Sequence, residues 1–185
     1  MGKVMHQRLV SGLAYTLSLL ALFLGVAPVG HANAASLSPR KVTLGSSAPS
    51  AVTTHKFEVT VPTTADVGSV RFWYCTTGSG TCTTPTGLST TSATLDAQTG
   101  ATGFTLNNST NGLPYITRTA ASISSGTAVS YTLGNVTNPS TTNTTFYIRM
   151  ATFASTDISG TAIDTGNVLA STATPIGYIA KRYLS

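Results

Sequence analysis

Residues 128–154 read AVSYTLGNVTNPSTTNTTFYIRMATFA, and two passages of strict alternation stand out in them. In the first, Val129, Tyr131 and Leu133 are separated by Ser130 and Thr132; in the second, Phe146, Ile148 and Met150 are separated by Tyr147 and Arg149. Side chains of a β-strand point to opposite faces in turn, so apolar residues at every second position line one face and leave the other to water. The residues between the runs, Gly134 to Ser140, are rich in turn-formers, and Pro139 has no amide hydrogen to give to a ladder. The pattern predicts two amphipathic strands with a break between them, in a sheet whose apolar face must be covered by another layer.

Candidates for that cover lie on both sides. Phe57, Val59 and Val61 alternate with Glu58 and Thr60 until Pro62 stops the run. After a turn-rich connection, Thr63 to Ser69, the run Val70 to Cys75 sets Val70, Phe72 and Tyr74 in one row and Arg71, Trp73 and Cys75 in the other. Large residues on both faces predict a central strand. Weaker strand signals follow at Ala93 to Leu95, at Phe104 and Leu106, and at Leu113 to Arg118. Past Phe153, residues 155–167 read as a polar loop, Val168 to Thr174 as a last strand, and Ile176 to Tyr183 as a closing strand or tail. No stretch after residue 34 has a helical period with caps. About seven to nine short strands at spacings of about 8 to 15 residues predict a single all-β sandwich over residues 54–185. Ahead of it, residues 35–53 form a leader in which Val42 and Leu44 alternate between Pro39 and Pro49, the mark of an edge strand or of a disordered arm.

Residues 1–34 have the three parts of a secretory signal peptide: a basic start with Lys3 and Arg8, an apolar segment from Leu9 to Val29, and the small-x-small site Ala32-Asn33-Ala34. Cleavage is expected between Ala34 and Ala35. The alternative is a retained membrane anchor, since roughly 20 apolar residues cross a bilayer, but Ser11, Tyr15, Thr16 and Ser18 dilute the run. The protein is therefore expected outside the cell or on its surface, touching a membrane only through this segment if it stays uncleaved. Charged residues make up 8% of the chain, against roughly 25% in ordinary soluble domains. Threonine, roughly one residue in five beyond residue 34, must wet the surface instead. The net charge of +5 includes Lys3 and Arg8; the excess left after their removal, about +3, is scattered, which is no nucleic-acid footprint.

Cys75 and Cys82 are the only cysteines, and an even count in an exported chain reads as a disulfide. Gly78, Ser79 and Gly80 make the intervening loop pliable. The spacing is not Cys-x-x-Cys, and no further Cys or His completes a zinc site. His55 is the sole imidazole after residue 34, and is expected at the surface beside the start of a strand. With no Gly-x-Ser-x-Gly elbow and no pairing suggested among the carboxylates, no catalytic, cofactor or metal residue is assigned and the chain reads as non-enzymatic. Asp157 and Asp164 share an oxygen-rich loop of the kind calcium prefers, although Asp-x-x-Gly is also an ordinary turn and the EF-hand spacing is absent. Trp73, Tyr115, Tyr147 and Tyr178 are candidates for a ligand platform, because aromatic rings offer apolar faces to a sugar; the alternative is packing in the core or under a loop.

The tyrosine-leucine strand, Asn135-Val136-Thr137-Asn138-Pro139, and then Phe146-Tyr147-Ile148-Arg149 together resemble small secreted surface proteins of reduced-genome candidate-phylum bacteria. The strands Phe57 to Pro62 and Arg71 to Cys75 are similar to the same group. The resemblance implies an immunoglobulin-like β-sandwich and an extracellular location, with no site residues to carry over. A true immunoglobulin pattern is not met: Trp73 and Cys75 share a strand, and Cys82 is too near to bridge two sheets. The expected role is structural or adhesive, through contact with an extracellular protein or glycan. The alternatives are a subunit of a surface fibre or layer, a homo-oligomer in which the leader pairs with a neighbour's sheet edge, and a carbohydrate-binding module.

Overall fold

The computed structural model describes residues 34–173, which contain ten strands and no helix. The strands are β1 (Ala35–Ser36), β2 (Arg40–Leu44), β3 (Val52–Thr60), β4 (Ala65–Cys75), β5 (Thr94–Thr99), β6 (Thr105–Asn107), β7 (Tyr115–Ile123), β8 (Ala128–Thr137), β9 (Thr145–Phe153) and β10 (Asp164–Ser171). They form two sheets, β2-β3-β8-β5 and β1-β10-β9-β4-β7-β6. The first has the A-B-E-D order of an immunoglobulin domain, and β10-β9-β4 in the second has the G-F-C order. Two additions distinguish it: β7 and β6 widen the second sheet beyond β4, although they follow β5 in the chain, and β1 runs parallel to β10 at the opposite end. The expected central strand, β4, lies between β9 and β7.

Alternation sets the faces. Phe57 and Val59 of β3, Phe72 and Tyr74 of β4, Tyr131 and Leu133 of β8, and Phe146, Ile148 and Met150 of β9 are all buried between the sheets. Across the layers the contact is aromatic: Phe57 meets Phe72 with ring centres 4.6 Å apart, and Tyr131 receives Phe104 edge-on at 5.6 Å. The disulfide joins Cys75 to Cys82, at the end of β4, rather than the two sheets.

Three expectations need correction. Gly134 to Thr137 do not break the first strand; β8 runs through them with an extra residue, since Leu133 faces His55 but Val136 faces Thr53. Asn135 takes a left-handed φ of 53° there. This bulge shifts the parity by one, turning Val136 and Asn138 inward where uninterrupted alternation would have turned Asn135 and Thr137. Second, β4 begins at Ala65, inside the stretch read as a turn-rich connection. Gly68 is why the strand can run there: a Cβ on it would lie 2.5 Å from the carbonyl oxygen of Ala154, so the backbone after β9 lies directly against it. Third, His55 is not at the surface. It is fully buried, sharing its parity with Phe57 and Val59.

The leader is part of both sheets: β1 pairs with β10, the chain crosses at Ser38-Pro39, and β2 pairs with β3. Leu37 at the crossing is completely buried. Residues 1–33 of the signal peptide expected over 1–34, and the expected closing strand after residue 173, including Tyr178, lie outside the described residues.

Candidate functional site

The outward rows of the six-stranded sheet hold the polar and aromatic side chains that its inner face excludes. Register places Asn167, Arg149 and Trp73 in one row across β10, β9 and β4, and Thr165, Ala151, Arg71, Tyr115 and Asn107 in the next, across β10, β9, β4, β7 and β6. Tyr147, two residues before Arg149 on β9, points the same way, so three of the four aromatic candidates share a face. Two loops wall it. At one end the disulfide loop folds back over β9: the Arg149 guanidinium donates to the carbonyl oxygens of Thr77, Ser79 and Gly80 at 2.7–3.1 Å, and Asn167 donates to that of Gly78 at 2.7 Å. At the other end the segment after β9 is held by the Ser69 hydroxyl, which donates to Ser155 at 2.7 Å, and by that of Thr117, which donates to Thr156 at 2.6 Å.

The aromatics differ in what they offer. Gly78 approaches so closely that a Cβ on it would lie 3.3 Å from the Tyr147 ring, so Tyr147 is a residue under a loop. Tyr115 is partly exposed, and its hydroxyl accepts from Asn107 at 2.9 Å. Trp73 is also partly exposed, with the guanidiniums of Arg71 and Arg149 at 5.1 and 5.7 Å from its ring centre.

Arg71 is the exception among the described arginines. Arg40, Arg118 and Arg149 each spend the guanidinium on backbone carbonyls: Arg40 on Leu37 and Asn167, Arg118 on Val67, Thr102 and Ala121, Arg149 on the disulfide loop. Arg71 makes no such bond among the described residues; it rests against Trp73 and, at 5.3 Å, Phe153, and its buried Nε has no partner. Burial, and then the like charge of Arg149, pull its pKa below the ordinary value, yet an arginine stays charged. The ion pairs among the described residues are Lys41 and Lys56 with Glu58, on the other sheet, so no carboxylate neutralises Arg71.

The remaining candidates do not assemble. Asp157 is exposed and accepts from the hydroxyl and amide of Ser159 within its own turn, which holds its carboxyl below the usual range. Asp164 is buried on the inner face of β10, where its Oδ2 accepts from the Thr152 hydroxyl at 3.2 Å. The two carboxylates thus face different surroundings, and no group of three or more His, Cys, Asp or Glu among the described residues is placed to hold a metal.

Sequence reading missed a buried polar cluster. His55 Nε2 lies 3.0 Å from Asn138 Oδ1, and its Nδ1 3.0 Å from the Tyr74 hydroxyl. An amide oxygen only accepts, so Nε2 carries the proton and Nδ1 receives that of Tyr74. Asn138 Nδ2 donates onward to the carbonyls of Ser46 and Ala48 at 2.8 and 2.9 Å. Burial pushes the imidazole down to about 4, so it is neutral at physiological pH. The cluster pins β3, β4 and the loop after β8 together; period-two parity with Phe57 was the signal that could have found it.

Fold and face define a class: an immunoglobulin-like β-sandwich with a walled, cationic and aromatic sheet face. The solved structures similar to this chain include the crystal structure of BslA, a bacterial hydrophobin, at a TM-score of 0.41 and 15% identity, covering 75% of this chain and 97% of that one. No protein-family model and no curated protein matches the chain.

Proposed function

We propose that the protein is a non-enzymatic, secreted or cell-surface binding domain, and that the outer face of its six-stranded sheet takes an acidic glycan. Arg71 carries this reading. A partly buried guanidinium with no carboxylate and no carbonyl partner among the described residues is a cation left unneutralised there, and bidentate contact with a carboxylate or sulfate is what its planar fork suits. Trp73 and Tyr115 beside it supply apolar ring surface, and the two loops bound the strip. The disulfide and the signal sequence support export, as does the resemblance to small secreted surface proteins.

The test is an array of acidic and neutral polysaccharides probed with the protein, its Arg71→Gln variant and its Trp73→Ala variant. Binding is expected on the uronate-bearing or sulfated members and not on neutral ones. Loss of a charge-assisted contact of about 1.5–3 kcal/mol should weaken it roughly 10- to 100-fold in Arg71→Gln. Equal binding to neutral glycans, or an Arg71→Gln variant that binds as well as the parent, would refute the reading.

A further inference from the structure

Asp164 is a buried carboxylate left half satisfied. It is 0% exposed; its Oδ2 accepts from the Thr152 hydroxyl at 3.2 Å, and its own amide donates back to that hydroxyl oxygen at 3.1 Å. Its Oδ1 is buried with no hydrogen-bond partner, and no lysine, arginine or histidine of the described residues pairs with it. Such an oxygen is costly, because it has left water without replacing it. The register supplies a neighbour: in the parallel pair β1–β10, Ala35 stands opposite Asp164. Partners across a ladder lie about 4.8 Å apart. Ser36 and Thr165, the next pair, are exposed, while Leu37 is buried, so Ala35 and Asp164 lie on the inner face together. The Ala35 nitrogen donates to the carbonyl of Ile163 at 3.2 Å, the carbonyl of the peptide that leads into Asp164.

We infer that signal cleavage between Ala34 and Ala35 completes this site, the new α-ammonium of Ala35 taking Asp164 Oδ1 as its partner. In hydrolysis by a signal peptidase the oxygen of water bonds to the Ala34 carbonyl carbon and the Ala34–Ala35 C–N bond breaks. Ala34 leaves as the carboxylate of the signal fragment, and the Ala35 nitrogen becomes an amine that takes up a proton. Before cleavage that nitrogen has one hydrogen, committed to Ile163; afterwards it has three, and a positive charge. The same backbone atom can then keep the β1–β10 bond and neutralise the buried carboxylate. Processing tightens the sandwich at the end where β1 enters, so the exported chain is more stable than one still carrying residues ahead of Ala35.

The experiment first reads the N-terminus of the exported protein by mass spectrometry, where Ala35 is expected and any other first residue overturns the inference. Thermal unfolding then compares a chain beginning at Ala35 with one carrying Ala32-Asn33-Ala34 ahead of it, each with and without Asp164→Asn. The Ala35 start should raise Tm by roughly 5 °C in the parent, and the gain should vanish in Asp164→Asn. A gain of the same size in both backgrounds overturns the inference. Should Asp164→Asn fail to fold, a crystal structure of the processed chain decides: a direct hydrogen bond from the Ala35 nitrogen to Oδ1 is expected, and an Oδ1 out of its reach is the contrary result.

Discussion

At the scale of single residues, His55 has the plainest consequence. Its imidazole is held neutral at a pKa of about 4 in the folded chain, against 6.5 when free. As pH falls, the unfolded chain takes the proton first, so the contribution is complete above pH 6.5 and is lost on the way down to about 4, roughly 3 kcal/mol in total. His55 is the one histidine beyond residue 34, and the carboxyls of Glu58 and Asp157 are held below their ordinary values, so what they contribute is lost in the carboxylate range, at the acid end of this window. Urea midpoints measured at pH 7.5, 5.5 and 4.5 should therefore fall steadily in the parent, whereas His55→Gln should change little between pH 7.5 and 5.5. A parent profile without that slope would contradict the buried, neutral assignment.

At the scale of elements, the two loops over the six-stranded sheet are anchored differently. The segment after β9 rests on hydroxyl donors from Ser69 and Thr117 and on the bare backbone of Gly68, whereas the loop after β4 has both the Cys75–Cys82 bond and the Arg149 guanidinium beneath it. Closing a loop of about eight residues restricts the unfolded chain by about 2.5 kcal/mol on the chain-entropy model. Replacing both cysteines by serine should lower the stability measured in urea by about that amount while leaving the strand content in circular dichroism unchanged, because Arg149 still gathers the loop carbonyls. Loss of the β-sheet signal itself would show that the bond, and not the arginine, holds the end of β4.

For the whole molecule the question is what the sheet edges permit. The six-stranded sheet ends in β1, two residues long, and β6, three residues long; the other ends in β2, which follows Pro39 and carries Arg40 and Lys41, and in β5, irregular at Asp96. Short, charged and bulged edges are poor templates for another chain. The leader, the segment that the alternative reading as a fibre or layer subunit would pair with a neighbour's sheet edge, is committed to its own sandwich through β1, β2 and Leu37. Light scattering on the processed protein after size exclusion should accordingly give a monomer. A stable larger species would mean that a surface other than these edges, such as one around the exposed Val52 or Leu169, joins the copies.

Alternation by itself makes most of the strands legible: Phe57 to Val61, Val70 to Cys75, Val129 to Leu133 and Phe146 to Met150 all lie in strands or, for Val61, one residue beyond, with the expected residues inward. The disulfide followed from the pairing of two cysteines alone. Period two is a local property, carried by a few consecutive side chains, so it survives without knowledge of the fold. The bulge at Asn135, the burial of His55 and the continuation of β4 through Gly68 depend on what lies across the strand or across the sandwich, and a sequence contains no such partner. The same holds for the site. Trp73, Tyr115 and Tyr147 could be named as aromatics, but only register brings them to one face, only the loop over Tyr147 takes it out of contention, and only the hydrogen bonds made by Arg40, Arg118 and Arg149 single out Arg71. Local chemistry determined which strands form; which side chains are left with unmet charge was decided by long-range packing, because neutralisation depends on neighbours distant in the chain.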